Sequence, residues 1–187
     1  ILLKCFTKII LIYVSNLNSA SVTIIDGAIN QTNTQPVGTP SSPDSLAVNP
    51  VLQQVYGAAS GQNVEFGFQS SFSPANSSWG NSNTGPIARA TNPATGMVYT
   101  LFSTHKMDID DGASPHGFDI DVCVNTLSAP TAFDVNTQTN TVYVACAGSE
   151  VNAIHGASGF FGGIIDAIQD SDAVGPVAIA VNSVTNQ

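Results

Sequence analysis

The run PDSLAVNPVLQQVY, from Pro43 to Tyr56, recurs along the chain. PIARATNPATGMVY follows from Pro86 to Tyr99, PTAFDVNTQTNTVY from Pro130 to Tyr143, and PVAIAVNSVTNQ from Pro176 to Gln187. The prolines step by 43, 44 and 46 residues, and Asn49, Asn92, Asn136 and Asn182 step identically. The register inside the motif therefore does not slip. Tyr13 stands 43 residues before Tyr56 and opens the series. Short apolar strands and turn residues at a period in the forties describe blades of a propeller rather than a solenoid of helices. The expected fold is all-β, a β-propeller fragment of about four four-stranded blades. The repeats fall at residues 10–50, 51–93, 94–137 and 138–187. Residues 1–9 read as a truncated N-terminal segment.

Each repeat resolves into four strands. The first runs from the Pro to the Asn. One of its faces carries Ser45, Ala88, Ala132 and Ala178, then Ala47, Ala90, Asp134 and Ala180. Strand side chains alternate, so these share a side. The other face is larger and mostly apolar, which predicts burial on both sides. Small residues suit the place where sheets converge, so this strand is expected innermost. The Val-Tyr strand comes second, rich in β-branched and aromatic residues. The third ends at Asp26-Gly27, Asp111-Gly112 and His155-Gly156, where a tight hairpin needs positive φ. The second repeat has Phe66-Gly67-Phe68 at that place. The outermost strand is the least regular, as an edge strand tolerates. No window shows a sustained helical stripe.

Only 9% of residues are charged, against about 25% in ordinary soluble domains. Asn, Ser, Thr, Gln and Gly must therefore cover the surface, which suits a secreted or cell-surface β protein. Four basic residues and a net charge of −9 exclude a phosphate-backbone partner. They also argue against an anionic membrane surface. The apolar N-terminal run is too short to span a bilayer, so no membrane insertion is expected. Its Ile12 to Leu17 falls in register with later Val-Tyr strands and reads as a strand. The chain starts and stops at the same point of the repeat, which reads as a fragment of a longer reading frame. Cys5, Cys123 and Cys146 form no CxxC motif. Cys123 and Cys146 are expected on strands of adjoining repeats. Two half-buried free thiols are the favoured reading there, and a disulfide is the alternative.

Two inner-strand positions break the pattern. Arg89 stands where other repeats have Leu46, Phe133 and Ile179, and Asp134 where they have Ala47, Ala90 and Ala180. They are expected to pair across a blade interface and fix its register. The alternative makes them ligand contacts near a channel mouth. Asp108, Asp110 and Asp111 open an acidic stretch that resembles a calcium loop, with Gly112 at the turn. A far-end Glu is absent, and a solvated acidic hairpin is the plainer reading. Trp79, in a Ser/Asn-rich stretch, is a candidate contact for a glycan or a protein. His105, His116 and His155 lack ligand spacing and read as turn residues. No catalytic residues are expected, because no nucleophile elbow or phosphate loop is present.

Tyr13-Val14-Ser15-Asn16, Ser21 to Asp26, Pro36-Val37-Gly38 and the run at 43–50 give the chain a family likeness. It resembles the YVTN-type β-propeller repeats of extracytoplasmic and surface-layer proteins, from about Ile10 onward. That resemblance implies a ring of about seven blades, with missing blades supplied by the rest of the chain or by another chain. It implies no shared active site. The expected function is a non-catalytic extracytoplasmic module, a surface structure or a binder of protein or cell-surface ligands. The alternative is a propeller enzyme, a metal-dependent lyase or lactone hydrolase with its site on the axis.

Overall fold

The computed structural model describes residues 10–36, 43–59, 64–69, 76–80, 83–112, 117–157 and 163–185, with backbone alone for 64, 65, 69 and 76–80. Strands but no helix occur among them. The first sheet is β1 (Leu11–Asn16), β2 (Ser21–Asp26) and β3 (Gln31–Pro36). The second is β4 (Ser45–Asn49), β5 (Gln54–Ala59), β6 (Val64–Gln69) and β7 (Asn76–Gly80). The third is β8 (Pro86–Thr91), β9 (Val98–Phe102), β10 (Lys106–Asp110) and β11 (Phe118–Asp121). The fourth is β12 (Pro130–Asn136), β13 (Thr141–Cys146), β14 (Glu150–His155) and β15 (Ile164–Gln169). Each sheet is an antiparallel meander whose strand order follows the chain. The first strands β4, β8 and β12 lie beside one another.

The recurring Asn explains the period. Asn49 Oδ1 accepts the Val51 and Leu52 N–H groups at 3.0 and 3.1 Å. Asn92 Oδ1 accepts Ala94 N–H at 3.0 Å, and Asn136 Oδ1 accepts those of Gln138 and Thr139 at 3.0 and 3.1 Å. This side-chain turn reverses the chain between the first two strands of a sheet. The turn closes on a left-handed residue three before each Tyr: Gln53 at φ 53°, Gly96 at 81° and Asn140 at 54°. Glycine and asparagine adopt that conformation readily. The amide nitrogen reaches onward to the next repeat. Asn49 Nδ2 donates to Gly96 O at 3.1 Å, and Asn92 Nδ2 to Asn140 Oδ1 at 2.7 Å.

The tyrosines do the same on the neighbouring strand. Tyr56 Oη donates to Gly112 O at 2.7 Å, and Tyr99 Oη to Gly156 O at 2.8 Å. Each Tyr thus binds the hairpin that ends the third strand of the following sheet. The apolar packing falls into two clusters. Val22, Ile24, Val55, Phe66 and Phe68 join the first and second sheets. Tyr99, Leu101, Met107, Ile109, Val135, Val142, Val144 and Ile154 are among those joining the third and fourth. Burying each such side chain contributes about 1.5–3 kcal/mol.

The structure corrects several expectations. Phe66-Gly67-Phe68 is no turn: it lies inside β6, and Gly67 pairs with Tyr56 and Ser77. Phe66 and Phe68 are held there by the core they share with Val22 and Ile24. Its neighbour Gly57 is needed as glycine, because a Cβ would stand 2.1 Å from the Phe66 ring. The first strands are not buried on both sides, since Val48 and Ile87 are exposed. The run from Pro176 to Asn182 is not a strand. It docks along β12, where Thr131 Oγ1 donates to Pro176 O at 2.8 Å and Asp134 accepts Val181 N–H at 2.7 Å. A strand needs a ladder partner, and this run has none among the described residues.

Cys123 and Cys146 form a disulfide, not two free thiols, with Cα atoms 5.6 Å apart. Cys146 ends β13, whereas Cys123 sits in the turn after β11 rather than on a strand. Stacking of the third and fourth sheets brings the two together, within the separation a bridge requires. Cys5 lies outside the described residues.

Two stability tests follow from these contacts. Asn92→Ala removes a buried acceptor and donor together and should cost about 2–3 kcal/mol in urea unfolding. The exposed Asn182, which caps only its own turn, should cost about 0.5 kcal/mol or less when changed to Ala. Equal losses at the two sites would contradict this account. Reduction of the disulfide, which spans 23 residues, should cost about 3 kcal/mol. A Cys123→Ala/Cys146→Ala chain should then show no response to reductant, and thiol titration of the unreduced, unfolded wild type should find one reactive thiol per chain.

Candidate functional site

Two of the polar side chains named from the sequence, Arg89 and Asp108, lie at the seam between the second and third sheets. The β8–β9–β10–β11 register sets Arg89 opposite Thr100, Thr100 opposite Asp108, and Asp108 opposite Asp119. Directly paired residues project to the same face, so these four form one row across the third sheet. Arg89, Thr100 and Asp108 are buried, and Asp119 is exposed. The row faces the second sheet: Arg89 Nη1 donates to Gly57 O at 2.8 Å, and its guanidinium lies 5.8 Å from the centre of the Tyr56 ring. A buried arginine is tolerable when a carbonyl and an aromatic face receive it. At the outer end of the row Asn83 Nδ2 donates to Asp119 Oδ1 at 2.7 Å.

Arg89 and Asp134 do not meet. Arg89 points back to the second sheet, and the Asp134 carboxylate points forward. Its oxygens accept Val135 N–H at 2.8 Å and Val181 N–H at 2.7 Å. Strand alternation puts the two residues on opposite faces, and the stacking direction turns both faces away from their shared interface. The interface between the third and fourth sheets is apolar instead.

Asp108 and Asp110 lie on β10 two residues apart, both buried, while Asp111 is exposed. Asp110 Oδ1 accepts Gly112 N–H at 2.7 Å, so this carboxylate serves the hairpin. Among the described residues no three His, Cys, Asp or Glu side chains gather to hold a metal ion. Trp79 is a β7 residue whose backbone pairs with Glu65. Its side chain lies outside the described residues, as does His116.

A further polar cluster was not legible from the sequence. Glu150 is fully buried and accepts from Asn125 Nδ2 at 3.1 Å and from Thr126 N–H at 3.2 Å. Thr126 Oγ1 and Asn152 Nδ2 donate to the same carboxylate. Asn152 Oδ1 in turn accepts Cys123 N–H at 2.6 Å. The cluster fixes the loop that carries Cys123 against β14, beside the disulfide. A buried carboxylate near a cysteine was the only available signal, and spacing alone does not reveal it.

The chain matches no protein-family model and no curated protein. Arg89 bonds backbone of the neighbouring sheet, whereas Asp110 and Glu150 bond a hairpin and a loop.

Burial, helped by the nearby Asp110 carboxylate and opposed by Arg89, pushes the Tyr56 hydroxyl up to about 12 from its ordinary value of 10.0. Burial raises Tyr99 as well. Both phenols hold the fold in their neutral form. A raised folded value means that this stability is complete below pH 10 and disappears as pH climbs through about 12. Alkaline titration should show Tyr56 and Tyr99 ionising late and together with unfolding. Tyr56→Phe should cost about 1–2 kcal/mol at neutral pH by leaving the Gly112 carbonyl unpaired. A free phenolate signal from all four tyrosines near pH 10 in the folded chain would refute the latch.

Proposed function

We propose that this chain is a set of consecutive β-propeller blades of the YVTN type, acting outside the cytoplasm as a non-catalytic binding or surface-structural module. One observation carries the reading: polar side chains of the repeats are spent holding backbone of the segment next to them. Arg89 holds Gly57, Tyr56 holds Gly112, Tyr99 holds Gly156 and Asp134 holds Val181. Residues so engaged are poor candidates for acid, base or nucleophile work. Four sequential meanders with neighbouring first strands support a propeller arrangement. The disulfide supports an oxidising compartment, and a surface with few charges fits the same setting. The partner is a protein or a cell-surface glycan, and Trp79 is the residue assigned to contact it.

The single tryptophan of the chain is a built-in reporter. Titration with purified cell-envelope polysaccharide or surface-layer protein should change its fluorescence. Trp79→Ala should weaken that binding by about tenfold or more. Arg89→Met should lower stability and leave the affinity of the folded fraction unchanged. Absence of a response to both kinds of surface material, or turnover of a lactone or polysaccharide that depends on Asp108 or Asp134, would overturn the proposal.

A further inference from the structure

The two ends of the stack are complementary. Aligning the tyrosines makes Ile12 the counterpart of Val55, Val98 and Val142, which are each 0% exposed, yet Ile12 is 48% exposed. Val14 is the counterpart of Thr100 and Val144, also 0% exposed, and is itself 42% exposed. Both face away from the second sheet, because β1 alternates and Leu11 and Tyr13 pack toward it. In the later sheets the corresponding face is covered by the sheet before it. Among the described residues the first sheet also has three strands where the others have four. Among the described residues its β1, a Val-Tyr strand, pairs only with β2 and has no first strand beside it.

The opposite end has what the first sheet lacks. Pro176 to Asn182 carries the first-strand sequence and is docked on β12 but unpaired in any ladder. Tyr143 is half-exposed, whereas Tyr56 and Tyr99 are 2% and 0% exposed. Its hydroxyl makes no hydrogen bond among the described residues, while the two others each hold a glycine carbonyl of the next sheet. Gly27 occupies the position of Gly112 and Gly156 on the first sheet. Ile168, on the same outward face as Tyr143, is 49% exposed.

We propose that the fourth sheet of one copy of this chain docks on the first sheet of a second copy, head to tail. The Pro176–Asn182 run supplies the missing strand beside the second copy's β1, and Tyr143 donates to that copy's Gly27 carbonyl. The contact continues the interface that already joins second to third and third to fourth sheets. The occupant has the right chemistry because it is another face of the same repeat. Such a contact is heterologous, with different surfaces on the two partners. The inference rests on the stacking of sheets and is independent of the ligand proposed above.

The test uses the full 187-residue chain at about 0.15 M salt, where the mutual repulsion of two acidic copies is screened. Light scattering and sedimentation should find the wild type larger than one chain. Val14→Lys blocks the first-sheet end and Ile168→Lys the fourth-sheet end. Both positions are already exposed, so the fold should hold. Each variant alone should run as a monomer. Mixed in equal amounts, the two should form a heterodimer through their remaining good ends, which misfolded chains would not do. Tyr143→Phe should weaken the association about five- to tenfold. A monomeric wild type would overturn the proposal and leave these faces to further repeats on the same polypeptide. Association that survives in either Lys variant alone would also overturn it, since that result requires a different contact.

Discussion

A hydrogen bond from one repeat to the next holds this architecture in phase. The second and third sheets each offer two donors forward, an Asn amide and a Tyr hydroxyl, and the following sheet receives them on backbone or turn oxygens. These groups are buried, so an acceptor displaced by one residue would be left without a donor, at a cost of about 1–3 kcal/mol. The Asn is doubly bound, since its other end shapes its own turn. Turn geometry and sheet stacking are therefore set by one side chain. That coupling accounts for a register that persists while the outer strands vary.

The seams between sheets differ in kind. The first and second sheets share an apolar cluster, and so do the third and fourth. Between the second and third stands the row of Arg89, Thr100 and Asp108. Arg89 is received by a carbonyl and a ring, so the seam is specific more than it is strong. A cation there accepts only the register that puts Gly57 O within reach. The disulfide adds a covalent tie to the seam between the third and fourth sheets, with Glu150 and its donors bracing the loop beside it.

Much of the fold was legible because the repeat is in phase. The in-phase Val-Tyr pairs placed β5, β9 and β13, and Asp-Gly placed two of the hairpins. What the sequence obscured was mostly the direction of neighbours. Arg89 and Asp134 could be assigned to opposite faces, but which face meets which sheet depends on the sense of stacking. Pairing parity alone does not encode it. Phe66-Gly67-Phe68 looked like a turn because glycine permits one, whereas two aromatic anchors in a core override that local freedom. The Cys123–Cys146 bridge stood only as the alternative to two free thiols, because its partners are close only after two sheets have packed. The recurring Asn was visible as a turn residue, yet its forward bond to the next repeat is a tertiary fact.

Joining the third and fourth sheets by both a core and a disulfide has a mechanical consequence. Pulled from its ends, the chain has no comparable covalent tie at the polar seam ahead of β8. That seam would part first, with the first two sheets peeling away as a softer body. The last two would remain a single block, and the 23-residue span inside the bridge would stay slack under load until the sulfur–sulfur bond was reduced. Redox state would then set the length to which the chain can be stretched.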